Sequence, residues 1–130
     1  MVLQFTKLEQ RRARLGMTKT AVAQRANVSL PTVNRILSGK ERMPTVPNLH
    51  AIAKALGVVV RIGATIEIEE PQSADEYRRT QARSKAKKLM HMVQGTMSLE
   101  DQAVDQHTID AMIEDATHEL LKANRRLWGA

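Results

Sequence analysis

The sequence predicts a mostly α-helical chain: four short helices, a short β strand or hairpin, and a C-terminal helical hairpin. Three observations carry that expectation. Apolar residues recur at helical spacing as far as Leu56, the period drops to two between Val58 and Glu70, and helical spacing returns after Pro71.

The first helix is expected over about Phe5 to Leu15, with Leu8 and Leu15 inward and the arginines outward. Gly16 ends it, because a helix end favours the left-handed conformation that glycine adopts freely. Thr18 then caps a second helix through Ala26, which turns Val22, Ala23 and Ala26 inward. Asn27 tolerates the positive φ a tight corner needs, and Val28 plugs the core beneath it. Ser29 caps a third helix with Pro31 in its first turn, where a missing amide costs little. That helix buries Val33, Ile36 and Leu37 and stops at Ser38-Gly39. A fourth helix follows the Pro44–Pro47 loop, its stripe of Leu49, Ile52, Ala53 and Leu56 closed by Gly57.

From Val58 to Glu70 one side carries Val58, Val60, Ile62, Ala64, Ile66 and Ile68. This is one long strand or a hairpin turning near Gly63, and neither is stable alone. It lies on the helical head or pairs across a two-fold axis. Pro71 ends it. A helix over about Ala74 to Gln94 then turns Ala82, Ala86, Leu89, Met90 and Val93 inward, and Ser98 to Ala103 forms a short turn. The last helix, about Thr108 to Asn124, buries Ile109, Met112, Ile113, Ala116 and Leu120. Paired antiparallel, Asp110, Glu114, Asp115 and Glu119 face Arg78, Arg83, Lys85 and Lys88. The expected domains are residues 1–57, 58–70 and 73–130.

Charge points to a partner. The net charge is +6, but residues 1–42 alone set nine cations against Glu9 and Glu41, a net of +7. Residues 71–95 hold six bases and two acids, and residues 96–121 seven acids without a lysine or arginine. A basic head and a basic helix favour a polyanion such as nucleic acid. Phe5, Tyr77 and Trp128 are the only aromatics, too few for stacking platforms that grip single strands. The chain has no cysteine, which excludes disulfides and thiolate metal sites. No signal peptide or spanning segment is evident, so a cytoplasmic protein is expected. The four histidines lack zinc-site spacing, Asp101, Asp105 and Asp110 do not form a calcium loop, and no phosphate loop follows a strand. Neither an enzyme nor a cofactor is expected.

Two short helices joined by a tight corner are the arrangement that lays the second helix in a major groove. With Val33 and Ile36 inward, Leu30, Pro31, Asn34 and Arg35 face outward. Asn34 suits adenine, Arg35 guanine or a phosphate, and Leu30 a thymine methyl. Lys19, Lys40 and Arg42 surround that helix as phosphate partners, with Arg11, Arg12 and Arg14 more distant.

The run "GMTKTAVAQRANVSLPTVNRILSGK" resembles the Cro/CI-type (XRE) helix-turn-helix family over residues 5–57. The resemblance implies a lambda-repressor-like domain whose bases are read from the positions after Ser29 and from 34 and 35. It also implies phosphate contacts at both helix starts, from Thr18, Lys19, Ser29 and Thr32, beside Lys40 and Arg42. Lys19 stands where that family usually has glutamine, Asn27 where it has glycine and Leu37 where it has an acid. Leu30 and Pro31 make the leading edge apolar, which shifts weight towards shape readout. The segments "HMVQGTMSLEDQAV" and "ELLKANRRLWG" resemble the tail of the family called mobile mystery protein A, encoded beside a Fic-domain partner. That implies an antitoxin-like protein whose tail docks a toxin or a second subunit, with Trp128 an anchor or a cover for the end of the helical hairpin.

The function expected is a sequence-specific double-stranded DNA-binding regulator, homodimeric on a palindromic operator and repressing its own operon. Residues 29–38 would be its recognition helix, and Ile62, Ile66, Leu89, Val93 and Trp128 its dimer or partner contacts. The alternative is a protein-interaction module with a degenerate helix-turn-helix that binds a toxin without specific DNA readout.

Overall fold

The computed structural model describes the backbone of residues 2–41, 43–98 and 105–129 and the side chains of residues 5–41, 43–92 and 105–129. Arg42, the side chain of Val93 and residues 99–103 of the turn expected from Ser98 to Ala103 lie outside these. The elements run α1 (Val2–Leu15), α2 (Lys19–Ala26), α3 (Leu30–Leu37), α4 (Val46–Ala55), β1 (Val59–Ile62), β2 (Ile66–Glu69), α5 (Ala74–Ser98), α6 (Gln106–Lys122) and α7 (Asn124–Trp128). They form two compact units, Met1–Tyr77 and Arg78–Ala130. Among the described residues, no helix is long and apolar enough to cross a membrane.

Local chemistry sets the helix boundaries in the first unit. Thr18 Oγ1 accepts from the Ala21 amide at 3.0 Å, satisfying one of the orphan donors of α2. Ser29 and Thr45 do the same for α3 and α4, each with proline in the first turn. Asn27 takes φ 56°, ψ 43°, the left-handed corner expected of it. Leu8, Leu15, Met17, Val22, Val33, Ile36, Leu49, Ile52 and Leu56 fill the core. Each contributes about 1.5–3 kcal/mol of burial, set against its ordering entropy.

The chain from Val58 to Glu70 is a hairpin. β1 and β2 pair antiparallel, with Val60 opposite Ile68 and Ile62 opposite Ile66. Residues 63–65 make the turn, in which the Gly63 amide donates to Thr65 O at 3.1 Å. β1 packs on α4 and β2 on α1. Val60 is buried and Ile66 and Ile68 are half-buried, so this part of the apolar side lies towards the helices, while Ile62 and Ala64 at the turn end are exposed.

Arg11 corrects the reading of α1 as presenting its arginines outward. It is 1% exposed, with Nε donating to Leu56 O at 3.0 Å and Nη1 to Gln72 O at 2.8 Å. Position 11 follows Leu8 by three and precedes Leu15 by four, so it lies on the buried stripe of the helix. Burial pushes the guanidinium pKa down, and the negative charge of Glu70 opposes that shift. It stays charged all the same, as arginines do.

In the second unit α5 and α6 run antiparallel. Arg78 Nη2 donates to Leu121 O at 2.9 Å, and Arg83 Nη1 lies 2.9 Å from Glu114 Oε1, so positions on α6 descend as those on α5 rise. Of the charge pairs expected between these helices, Arg83–Glu114 forms. Arg78 and Lys85 instead reach carbonyls at the ends of α6 and α7, Leu121 O and Gly129 O, where the helix dipole is negative. Ala82 and Ala86 are buried, as are Ile109, Ile113, Leu120, Leu127 and Trp128. Leu89, expected inward, is 43% exposed. The buried row runs in four-residue steps through 82 and 86 to a half-buried Met90, leaving Leu89 at its edge. Met112, also expected inward, is exposed at the rim of the stripe formed by Ile109 and Ile113. The last helix breaks at Ala123 (φ −128°, ψ 84°), and α7 is a separate turn.

Candidate nucleic-acid interface

The reader is built from two helices and the corner between them. α2 packs against α3 and α4, and α1 also supports α3. Val33, Ile36 and Leu37 fix one side of α3 in the core. The eight-residue helix therefore offers its other side: Pro31, Asn34 and Arg35 are exposed, and Leu30 is 39% exposed. The structure brings the four expected base-facing residues onto one edge.

Beside them runs a polar chain. Ser29 Oγ and Thr32 Oγ1 are 2.8 Å apart, and Arg35 Nη2 donates to Thr32 Oγ1 at 3.3 Å. Arg35 Nε stands 3.9 Å from Glu41 Oε2, and the Glu41 amide donates to Arg35 O at 3.0 Å. Thr32 and Glu41 thus hold the guanidinium from either side, although both contacts are solvent-exposed and weak. Sequence reading missed Glu41. Its signal was its position, the one acid close after a helix that carries Arg35 in its last turn.

The expected phosphate partners fall into two groups. Thr18, Ser29 and Lys40 are exposed, and Thr32 and Lys19 half-buried. The Thr18 hydroxyl accepts from an amide and keeps its proton to donate. Lys19 lies close enough to Glu9 to help lower its carboxyl pKa. Arg11 is buried, and Arg12 is half-buried and held by Glu9, so neither is presented as freely as the distant phosphate contact expected of it. Arg12 makes two bonds to Glu9, at 2.9 and 2.5 Å, and a third to Met17 O at 2.8 Å. The hydrogen bond from Arg12 chiefly lowers the Glu9 pKa, and burial opposes it. Arg14 remains exposed.

The residues expected at a dimer or partner surface are scattered. Ile62 is 48% exposed on the hairpin and Ile66 half-buried opposite it. Leu89 stands exposed on α5, whereas Trp128 is 3% exposed, inside the second unit. The indole of Trp128 is therefore covered by its own chain. Among the described residues, no three histidine or carboxylate side chains are grouped to hold a metal ion.

Residues 8–59, about two-fifths of the chain, match the helix-turn-helix family model of Cro/CI (XRE) type. Such a domain suggests a DNA-binding transcriptional regulator. No curated protein and no solved structure matches the chain.

Proposed function

We propose that this protein is a sequence-specific double-stranded DNA-binding regulator that uses residues 29–38 as its major-groove recognition helix. The observation that carries the reading is the edge of α3, where Leu30, Pro31, Asn34 and Arg35 face solvent while Val33, Ile36 and Leu37 anchor the opposite side. Asn34 and Arg35 supply the amide and the guanidinium that pair bidentately with adenine and guanine. Leu30 and Pro31 offer apolar contact to thymine methyls. Thr18, Lys19, Ser29, Thr32 and Lys40, with Arg42 after them, set the register on phosphates.

One eight-residue helix reads few base pairs, so two copies act together on a palindromic operator. Ile62 on the hairpin and Leu89 on α5 are the exposed apolar candidates for the dimer or partner contact, and Val93 and the half-buried Ile66 complete the proposed set. Repression of its own operon, and pairing with a Fic-domain toxin, rest on the resemblance of the tail. In that role the covered Trp128 braces the helical hairpin, and exposed Leu89 with Met92 (72% exposed) takes the partner.

The apolar leading edge of α3 favours a second reading, a protein-interaction module that has given up base readout. Asn34→Ala and Arg35→Gln separate the two. In a DNA reader each removes about 1–3 kcal/mol of preference for its own base pair, while salt-sensitive duplex binding and the melting curve persist. In an interaction module neither substitution changes any preference between duplexes.

A further inference from the structure

Between Tyr77 and Ser98 the chain carries no acidic residue and six basic ones, all on α5. The second unit uses three of these internally. Arg78 and Lys85 bind carbonyls at the ends of α6 and α7, and Arg83 pairs with Glu114. Arg79, Lys87 and Lys88 remain exposed, and no carboxylate among the described residues forms an ion pair with them.

Their spacing is regular. Arg79, Arg83, Lys87 and His91 follow at four-residue steps, a ridge that rises about 6 Å per step along the helix. Lys88 adjoins its far end, three residues before His91. Like charges four residues apart disfavour a helix, and α5 supplies no acid from Tyr77 onward to relieve them. Glu114 relieves only Arg83. The second unit therefore keeps an electrostatic cost that its own packing does not explain.

We propose that Arg79, Lys87 and Lys88 form a second polyanion-binding surface, which holds the phosphate backbone of duplex DNA without reading bases. The choice of DNA as the polyanion rests on the regulator reading above. The ridge lies on the second unit and repeats none of the contacts assigned to α3. Arg79 and Lys87 stand two such steps apart, about 12 Å, with Lys88 beside the latter, so the free cations are spread along the helix and can meet separate phosphates. Such contacts displace counterions, and each phosphate neutralised adds about 0.9 to the slope of log affinity against log salt.

The test compares the full chain with Arg79→Gln/Lys87→Gln/Lys88→Gln, on a selected duplex and on a scrambled one, between about 50 and 200 mM salt. All three side chains are exposed and glutamine keeps a good helix propensity, so the fold is retained; circular dichroism verifies it. The salt slope should fall by about 2 to 3 on both duplexes, with the ratio between them unchanged. The control Lys122→Gln/Arg125→Gln/Arg126→Gln removes the same charge from another part of the unit and should leave the slope nearly where it was. An unchanged slope in the α5 variant overturns the proposal, as does an equal fall in the control, which reports net charge alone. Absence of duplex binding at the lowest salt overturns it too. Failure of the base-reading assignment looks different: the selected and scrambled duplexes then bind alike, while the α5 variant still lowers the slope.

Discussion

The guanidinium of Arg11 stands over the ring of Tyr77, 5.4 Å from its centroid. With its bonds to Leu56 O and Gln72 O, it ties α1, the end of α4 and the first turn of α5 into one unit. Its Nη2 is buried without a hydrogen-bond acceptor, and the charge is met by nearby Glu70 and by the stack on Tyr77.

Arg11→Ala removes the donors to Leu56 O and Gln72 O and opens a cavity beneath Tyr77. The loss should be about 3 kcal/mol, read as a lower urea midpoint with the sole tyrosine as reporter. Arg11→Met keeps the volume and should recover part of that loss through packing. Equal midpoints for wild type and Arg11→Ala would contradict the clamp.

Gly57 meets the same ring from another side. It holds φ +71°, and a Cβ there would stand 2.6 Å from Tyr77 Cδ2. Gly57→Ala should therefore cost about 1–3 kcal/mol, from left-handed strain and the displaced ring together. Gly63→Ala, with nothing within 4 Å, is the internal control and should be nearly neutral. Thermal melts of the two variants make the comparison.

These two residues mark what the sequence left hidden. The caps at Thr18 and Ser29, the left-handed Asn27 and the buried sides of α3 and α4 follow from local spacing, and all are in place. Gly57 was legible as a helix stop but not as a seat for Tyr77, because that contact spans twenty positions of sequence. Arg11 was misread through its charge, although its spacing from Leu8 and Leu15 already placed it on the buried stripe. In the tail, local pattern found both long helices, while their rotation relative to one another decided Leu89 and Met112. The exposed edge of α3 was legible because it is what remains once the core residues are assigned.

The Arg12–Glu9 pair carries a pH dependence. The Glu9 carboxyl titrates below its ordinary 4.5 in the folded chain, owing first to the hydrogen bond from Arg12. Its stabilisation is thus present above about pH 4.5 and is lost as pH falls through the lower folded value. Glu9→Gln should flatten that acid limb in melting temperatures measured from pH 6 to 3. The contribution is about 0.5 kcal/mol, kept small by solvent screening of a partly exposed pair. An unchanged acid limb in the variant would remove Glu9 from the account.

The central claim is that α3 reads duplex DNA and that two copies read it together. Selection from random duplexes by the intact protein, at about physiological salt, tests it most directly. The account predicts a two-fold symmetric consensus with half-sites about 34 Å apart, one helical turn or a multiple of it. Salt-sensitive recovery of duplexes without any consensus would contradict it and leave charge as the chain's sole link to DNA.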